Sequence, residues 1–165
     1  MKVEFIHAAS VKETMVFEGL YHPRLQFSKN EKRRLLHAAT IKVWLKVDGE
    51  LAGETYGVNL EDEDDDLPGL APYRYQKARW VYVESLAVLP RFQGRGLARL
   101  LKAYFLARTW ALTGRGVIGH ATTPATMRIN LAFGASVRGE FKDWYGTGQM
   151  AWLYEIRAPE VALTD

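Results

Sequence analysis

The spacing of apolar positions changes several times along the chain, and each change marks an element. Lys2 to Ile6 alternates and reads as a first strand. Val11 to about Leu20 has a helical pattern with Met15 and Phe17 facing inward, and Pro23 interrupts it. Ser28, with Glu31 at the third position after it, is the signature of a capping box. The helix it opens runs to about Ala39 and presents Leu35, Leu36 and Ala39 to the core. Alternation returns from Ile41 to Val47, with Ile41, Val43, Leu45 and Val47 on one face. Asp48-Gly49 is a strong signal for a tight hairpin, so Leu51 to Val58 is expected to run back alongside.

Asn59 to Lys77 is a long polar loop containing Pro68, Gly69 and Pro72. A loop of this length in a compact domain is usually functional or mobile. Arg79 to Leu89 is apolar on both faces except at Glu84 and Ser85, which predicts a central, well-buried strand. Pro90 ends it, and a turn from Arg91 to Gly96 leads straight into a helical pattern with Leu97, Leu100, Leu101, Tyr104 and Phe105. Gly114 and Gly116 close that helix. Val117 to Ala121 is a short strand, and Pro124 suits the first turn of a further helix ending near Phe133-Gly134. Ala135 to Phe141 and Gln149 to Ile156 form a hairpin, with Met150, Trp152, Tyr154 and Ile156 on one face of the last strand.

The 165 residues suggest one domain, and 48% hydrophobic content supports a sizeable core. With no cysteine, disulfides, zinc-thiolate sites and Cys nucleophiles are excluded. The N-terminus lacks the long apolar run of a signal peptide, and no run is long enough to span a membrane. A soluble, cytoplasmic protein is the expectation. The net charge of +3 is unevenly spread. Glu61 to Asp66 are all acidic, whereas Ser85 to Gly139 contains no acidic residue but holds Arg91, Arg95, Arg99, Lys102, Arg108, Arg115, Arg128 and Arg138. A solvated basic face explains this span; so does a site for a phosphate-bearing ligand.

The glycine turn sharpens that choice. The Walker A pattern is absent. The Rossmann fingerprint fails at Arg99, where it needs glycine, and at the missing downstream acid. What remains is Arg91-x-x-Gly94-x-Gly96 between a strand and an amphipathic helix. Two glycines permit positive φ and close approach of a ligand, and a helix N-terminus offers unpaired N–H groups. Arg95 and Arg99 stand near the start of the helix, against its dipole, a conflict that an anionic ligand would remove.

With these residues the chain resembles the GNAT acetyltransferase superfamily, whose hallmark Arg/Gln-x-x-Gly-x-Gly/Ala is matched by Arg91-Phe92-Gln93-Gly94-Arg95-Gly96. Glu84 to Pro90 looks like the central strand of that family and Leu97 to Phe105 like its helix. The close match covers about a third of the chain, and the order of elements is compatible over nearly all of it. The resemblance implies a single α/β (α+β) domain over residues 1–165. Its sheet would be mixed but mostly antiparallel, with about six to seven strands and about four flanking helices.

The resemblance also implies acetyl-CoA as co-substrate and no metal. The backbone of Gln93, Gly94, Arg95, Gly96, Leu97 and Ala98 would hold the pyrophosphate, with Arg91 opening the motif. A family bulge would fall near Ser85-Leu86, and Leu86, Ala87 and Val88 would bind the thioester and the pantetheine arm. The reaction would be direct acetyl transfer to an amine, which requires a base. Glu84 is the candidate, because its apolar strand should raise its pKa; the competing reading is a core Glu paired with an Arg. His120 is a weaker candidate, and a structural role suits it better. The family often protonates the departing thiolate with a Tyr, but the matching position here is Asn130. Asn130 could instead hydrogen-bond the cofactor, Tyr145 could reach in from the hairpin, or solvent could serve; as an ordinary turn aromatic Tyr145 needs no such role.

The expected partner is a small-molecule or peptide amine, with no nucleic acid and no membrane, and a homodimer is allowed. The acidic run is either an attractor for a cationic amine or a solvated mobile loop. Two rival functions are a non-catalytic acyl-CoA-binding module of the same fold and a nucleic-acid binder using the basic span. No nucleic-acid motif supports the latter.

Overall fold

The computed structural model describes residues 1–63 and 67–160. Seven strands form one sheet in the order β1-β2-β3-β4-β5-β7-β6. They are β1 (Val3–Ile6), β2 (Ile41–Val47), β3 (Glu50–Asn59), β4 (Trp80–Val88), β5 (Gly116–Ala121), β6 (Ser136–Phe141) and β7 (Ala151–Ile156). The helices are α1 (Val11–Thr14), α2 (Lys29–Ala38), α3 (Leu97–Thr113) and α4 (Pro124–Ala132). Among the described pairings, β4 with β5 is parallel and the others are antiparallel. This is the expected mixed, mostly antiparallel sheet.

Local chemistry explains the boundaries. Asp48 and Gly49 have φ of 48° and 84°, so the hairpin between β2 and β3 is built on two left-handed residues. Ser28 and Glu31 form the expected capping box on α2, and Ser10 with Glu13 forms another on α1. The helical pattern after Val11 divides: α1 is a single turn, and Met15–Leu20 continues as a 3-10 helix. The polar loop is also partly ordered, with 3-10 turns at Leu60–Asp62 and Ala71–Arg79, while Asp64, Asp65 and Asp66 lie outside the described residues. Gly114 ends α3 at φ 66°, whereas Gly116 belongs to β5.

The helices divide between the two faces of the sheet. On one face α2 packs on β3, with Lys32 reaching Glu54. On the other, α3 lies across β2, β3 and β4. Its approach is close because Gly53 and Gly57 have no side chain. A Cβ on Gly57 would sit 3.0 Å from Phe105 and 2.8 Å from the Tyr82 carbonyl. α4 packs beside α3 against β5 and β7. Of the expected α3 core positions, Leu97, Leu101 and Phe105 are buried, Tyr104 is half-buried and Leu100 is exposed. In α2 the fully buried residues are Leu36 and, against expectation, Lys32, while Leu35 and Ala39 are half-buried.

Candidate active site

β4 changes partners at its middle. Its register with β3 steps from Tyr56↔Ser85 to Gly57↔Val83, so Glu84 is an extra residue, a β-bulge. The bulge falls one residue before the expected Ser85-Leu86. Its pairing with β5 ends at Val83↔Gly119. Beyond that point β4 stays with β3 as far as Val88, while β5 stays with β7, and the sheet opens. A bulge bends its strand and re-aims side chains. Here it puts the successive residues Glu84 and Ser85 along one cavity.

The opening holds a cleft of about 720 Å³. Leu86, Ala87, Val88, Gln93, Gly94, Gly96, Leu97 and Ala98 line it, facing Thr123 and Thr126 at the start of α4 and Ile129 further along it. Gly94 and Gly96 have φ of 77° and 75°, with open space where a Cβ would stand. Glycine is required here for its backbone angle, and the vacant side is available to a ligand. Gly96 caps α3 without a side-chain bond, and the first turn holds no acid. Among the described residues, nothing accepts from the N–H groups of Gly94 to Arg99. Such a row of donors on a positive helix end fits a pyrophosphate. The Gln93 side chain donates to the Val88 carbonyl at 2.9 Å and ties the turn to the strand end.

The basic span serves the cleft less than its composition suggests. Arg99 lines it. Arg91 instead pairs with Glu50 at 2.7 Å, its guanidinium on the Phe92 ring, and Arg95 also lies over that ring. Arg115 grips Glu61, and Arg138 pairs with Glu155. Lys102 is buried against Phe105 and Tyr154, bonded to the Tyr154 hydroxyl at 3.1 Å, and burial lowers its pKa to about 7. Asn130 is fully buried, outside the residues lining the cleft, and its amide makes no well-formed hydrogen bond among the described residues.

A second cavity, of about 400 Å³, lies on the other side of the bulge. Tyr56, Tyr82, Trp144, Tyr145 and Phe27 provide aromatic wall, and Glu63, Glu84 and Arg24 bring charge. Glu84 is half-buried; its Oε1 is shielded from water and has no hydrogen-bond partner, so the core Arg that could have explained it is not there among the described residues. Tyr145 lines this cavity and not the cleft; its backbone is left-handed at φ 50°, and its ring packs edge-on against Trp144 with 72° between the ring planes. His120 is committed to structure. Its Nε2 lies 2.8 Å from the Pro68 carbonyl, which can only accept, so Nε2 carries the proton and Nδ1 accepts from the Tyr82 hydroxyl at 2.7 Å. Burial pushes its pKa down to about 4.

Tyr21 and Thr122 line both cavities. Sequence reasoning missed Tyr21, which no motif marks. Its hydroxyl meets Ser85 Oγ at 2.9 Å, and burial holds the phenol well above its usual pKa, so it stays protonated. These two residues therefore stand between the cleft and the second cavity.

Residues 9–127 match the Acetyltransferase (GNAT) family. The chain belongs to that family. No curated protein matches the sequence. Solved structures share the fold at low identity. The ribosomal-protein-S18-alanine N-acetyltransferase of Escherichia coli has a TM-score of 0.75 at 12% identity, covering 99% of both chains. A phosphinothricin acetyltransferase of Sinorhizobium meliloti, in complex with acetyl-CoA, has a TM-score of 0.72 at 16% identity, covering 100% of this chain and 93% of its own. The yncA protein of Salmonella typhimurium, solved with its cofactor acetyl-CoA, has a TM-score of 0.70 at 15% identity, covering 100% of this chain and 99% of its own. The family and these complexes support acetyl transfer in general. No helix among the described residues is long and apolar enough to cross a membrane.

Proposed function

We propose that this protein is an N-acetyltransferase that moves an acetyl group from acetyl-CoA to a primary amine. The observation that carries this reading is the meeting of two different cavities at Tyr21 and Thr122. One ends in uncapped N–H donors, the other holds a buried, unpartnered carboxylate oxygen. Acetyl-CoA supplies an activated acetyl thioester. The turn from Gln93 to Ala98 binds its pyrophosphate, and the edge of β4 from Leu86 to Val88, released from β5, binds the pantetheine arm and polarises the carbonyl.

The acceptor enters through the second cavity. Glu84 receives its ammonium group, and the aromatic walls shield the contact from water. The proton that must leave the nitrogen has two carboxylates within reach of the site: Glu84 itself, and Glu54 behind Ser85. Acceptors of the similar structures include a ribosomal-protein alanine and phosphinothricin, so the fold accommodates peptide and small-molecule amines alike.

The test is direct. Acetyl-CoA raises the melting temperature of the purified protein, and a panel of amines is screened for release of free thiol. Stabilisation without thiol release from any amine turns the reading into that of an acyl-CoA-binding module. No stabilisation by acetyl-CoA or CoA removes the cofactor site altogether.

A further inference from the structure

Beneath Tyr21 lies a buried ionic cluster that the cofactor cleft does not need. Lys32 Nζ donates to the Thr14 carbonyl at 2.8 Å, to Glu18 Oε2 at 3.0 Å and to Glu54 Oε1 at 2.8 Å, which uses all its protons. Trp44 Nε1 donates to Glu54 Oε2 at 2.9 Å, and the Phe27 N–H to Glu18 Oε1 at 2.9 Å. Lys32 and Glu54 are completely shielded from water and Glu18 almost so. Two carboxylates share one ammonium, so the cluster carries a net charge of −1 inside the protein. Uncompensated buried charge is costly, and a proton would relieve it.

Glu18 of the cluster itself lines the second cavity, while Glu54 is joined to the junction of the cavities by a path of two hydroxyls. Ser85 Oγ lies 3.4 Å from Glu54 Oε1, and Tyr21 Oη lies 2.9 Å from Ser85 Oγ. Its polarity follows from chemistry. An ionised carboxylate only accepts, so Ser85 donates to Glu54 and accepts from Tyr21. Both hydroxyl protons then point inward, and the Tyr21 oxygen keeps its lone pairs for the Leu86 N–H and for a donor at the junction of the cavities. This is the orientation that passes a proton from the site into the core.

We propose that Tyr21, Ser85 and Glu54 form a proton wire that takes the proton of the acceptor amine into the buried Glu54–Lys32–Glu18 cluster. The inference rests on the acetyl-transfer reading above. The bound ammonium first loses one proton through the wire: it passes to Tyr21, the Tyr21 proton to Ser85, and the Ser85 proton to Glu54. The freed nitrogen lone pair then forms its bond to the acetyl carbon, the C–S bond breaks with its electron pair on sulfur, and the thiolate takes the second N–H proton. Glu54 ends neutral, Lys32 keeps Glu18 as its partner, and both hydroxyls are restored. Return of the proton to solvent along the same path resets the site. Glu84 is then the anchor of the ammonium, and Ser85 and Glu54 act through Tyr21 as positioning residues.

Two features favour Glu54 as the destination. Burial raises its pKa despite the opposing Lys32, and its connection to the site runs through hydroxyls rather than open solvent. The titratable groups facing it are Glu18 and Tyr21 from the segment after α1, Lys32 from α2 and Tyr56 from β3. Arg24, Glu31, Glu63, Glu84, His120 and the tyrosines Tyr82 and Tyr145 line the cavity beyond them, which Glu18 also reaches.

The test compares Ser85→Ala and Tyr21→Phe with the unmodified enzyme. Ser85→Ala removes one oxygen and keeps the fold, as an unchanged thermal shift with CoA shows. Its kcat falls by roughly tenfold or more, the acid limb of its pH–rate profile moves, and its proton inventory in mixed H2O/D2O loses the bowed form of several protons in flight. Tyr21→Phe does the same. A readout without cofactor is the infrared carbonyl band of protonated Glu54 in the free protein, assigned by its loss in Glu54→Gln, which titrates above the usual carboxylate range. Wild-type rate, profile and inventory in Ser85→Ala overturn the wire, as does a Glu54 that stays ionised through the acid range. A wild type that acetylates no amine overturns the function itself, and the wire with it.

Discussion

Tyr21 Oη and Ser85 Oγ share a 2.9 Å hydrogen bond across 64 residues of chain, and that bond ties the two cavities to the buried ions beneath them. Tyr21 comes from the segment after α1, Ser85 from the bulged strand. Without the extra residue at Glu84, alternation along β4 would put Ser85 on the opposite face, away from Tyr21.

The glycine turn is open to a sharp test. Gly96 sits at φ 75°, and nothing lies within 4 Å of the place a Cβ would take, so the protein itself leaves room for one. Gly96→Val therefore costs about 1–2 kcal/mol of stability, from backbone strain alone. It also crowds the ligand side, so the acetyl-CoA-induced rise in melting temperature disappears. Thermal denaturation with and without acetyl-CoA separates the two effects.

Glu84 should matter for the acceptor and not for the cofactor. Glu84→Gln keeps the shape and removes the charge that faces the amine. The expected result is a fall in kcat/KM for the amine of roughly tenfold or more, about 1.4 kcal/mol per tenfold, with the acetyl-CoA thermal shift unchanged. Steady-state kinetics at varied amine concentration measure it.

Lys32 is a structural prediction. Lys32→Met leaves Glu18 and Glu54 facing each other without a counter-ion in a dry interior. Breaking a buried pair in this way costs roughly 3–5 kcal/mol. Urea unfolding detects it as a lower midpoint, and the variant regains stability as pH falls and a carboxylate is protonated.

Two buried bases contribute to the pH dependence of stability. The Lys102 pKa is lowered to about 7 in the folded protein, so between pH 7 and its ordinary value the unfolded chain binds the extra proton. Stability rises with pH across that window, by about 1.4 kcal/mol per pH unit at most. Below pH 7 both states are protonated and the full cost of burying the charge is present. Lys102→Met should raise the urea midpoint at pH 7 and remove this slope. His120, down at about 4, adds a slope of the same sign between pH 4 and its ordinary value near 6.5.

Much of the fold was legible because it rests on local chemistry. Asp48-Gly49, the Ser28–Glu31 capping box and Pro124 at the start of α4 act over a few residues, and the structure has each where the pattern put it. The Arg91–Gly96 motif was equally local: glycine angles and a bare helix end are properties of adjacent residues. The basic span misled in part, because the carboxylates that occupy Arg91, Arg115 and Arg138 come from Glu50, Glu61 and Glu155, outside it.

By itself, then, the sequence determined the order of strands and helices, the hairpin turns and the anion-binding glycine turn, since neighbouring residues set backbone angles and unpaired N–H groups. Only the tertiary structure decided which charges are buried and what they touch. Lys32 stands among charged neighbours and reads as a surface residue, yet it lies at 0% exposure between Glu18 and Glu54. Tyr21 carries no motif, yet it stands where both cavities meet. Desolvation and partners brought together from distant parts of the chain fix the chemistry of an ionisable group, and no local pattern records either.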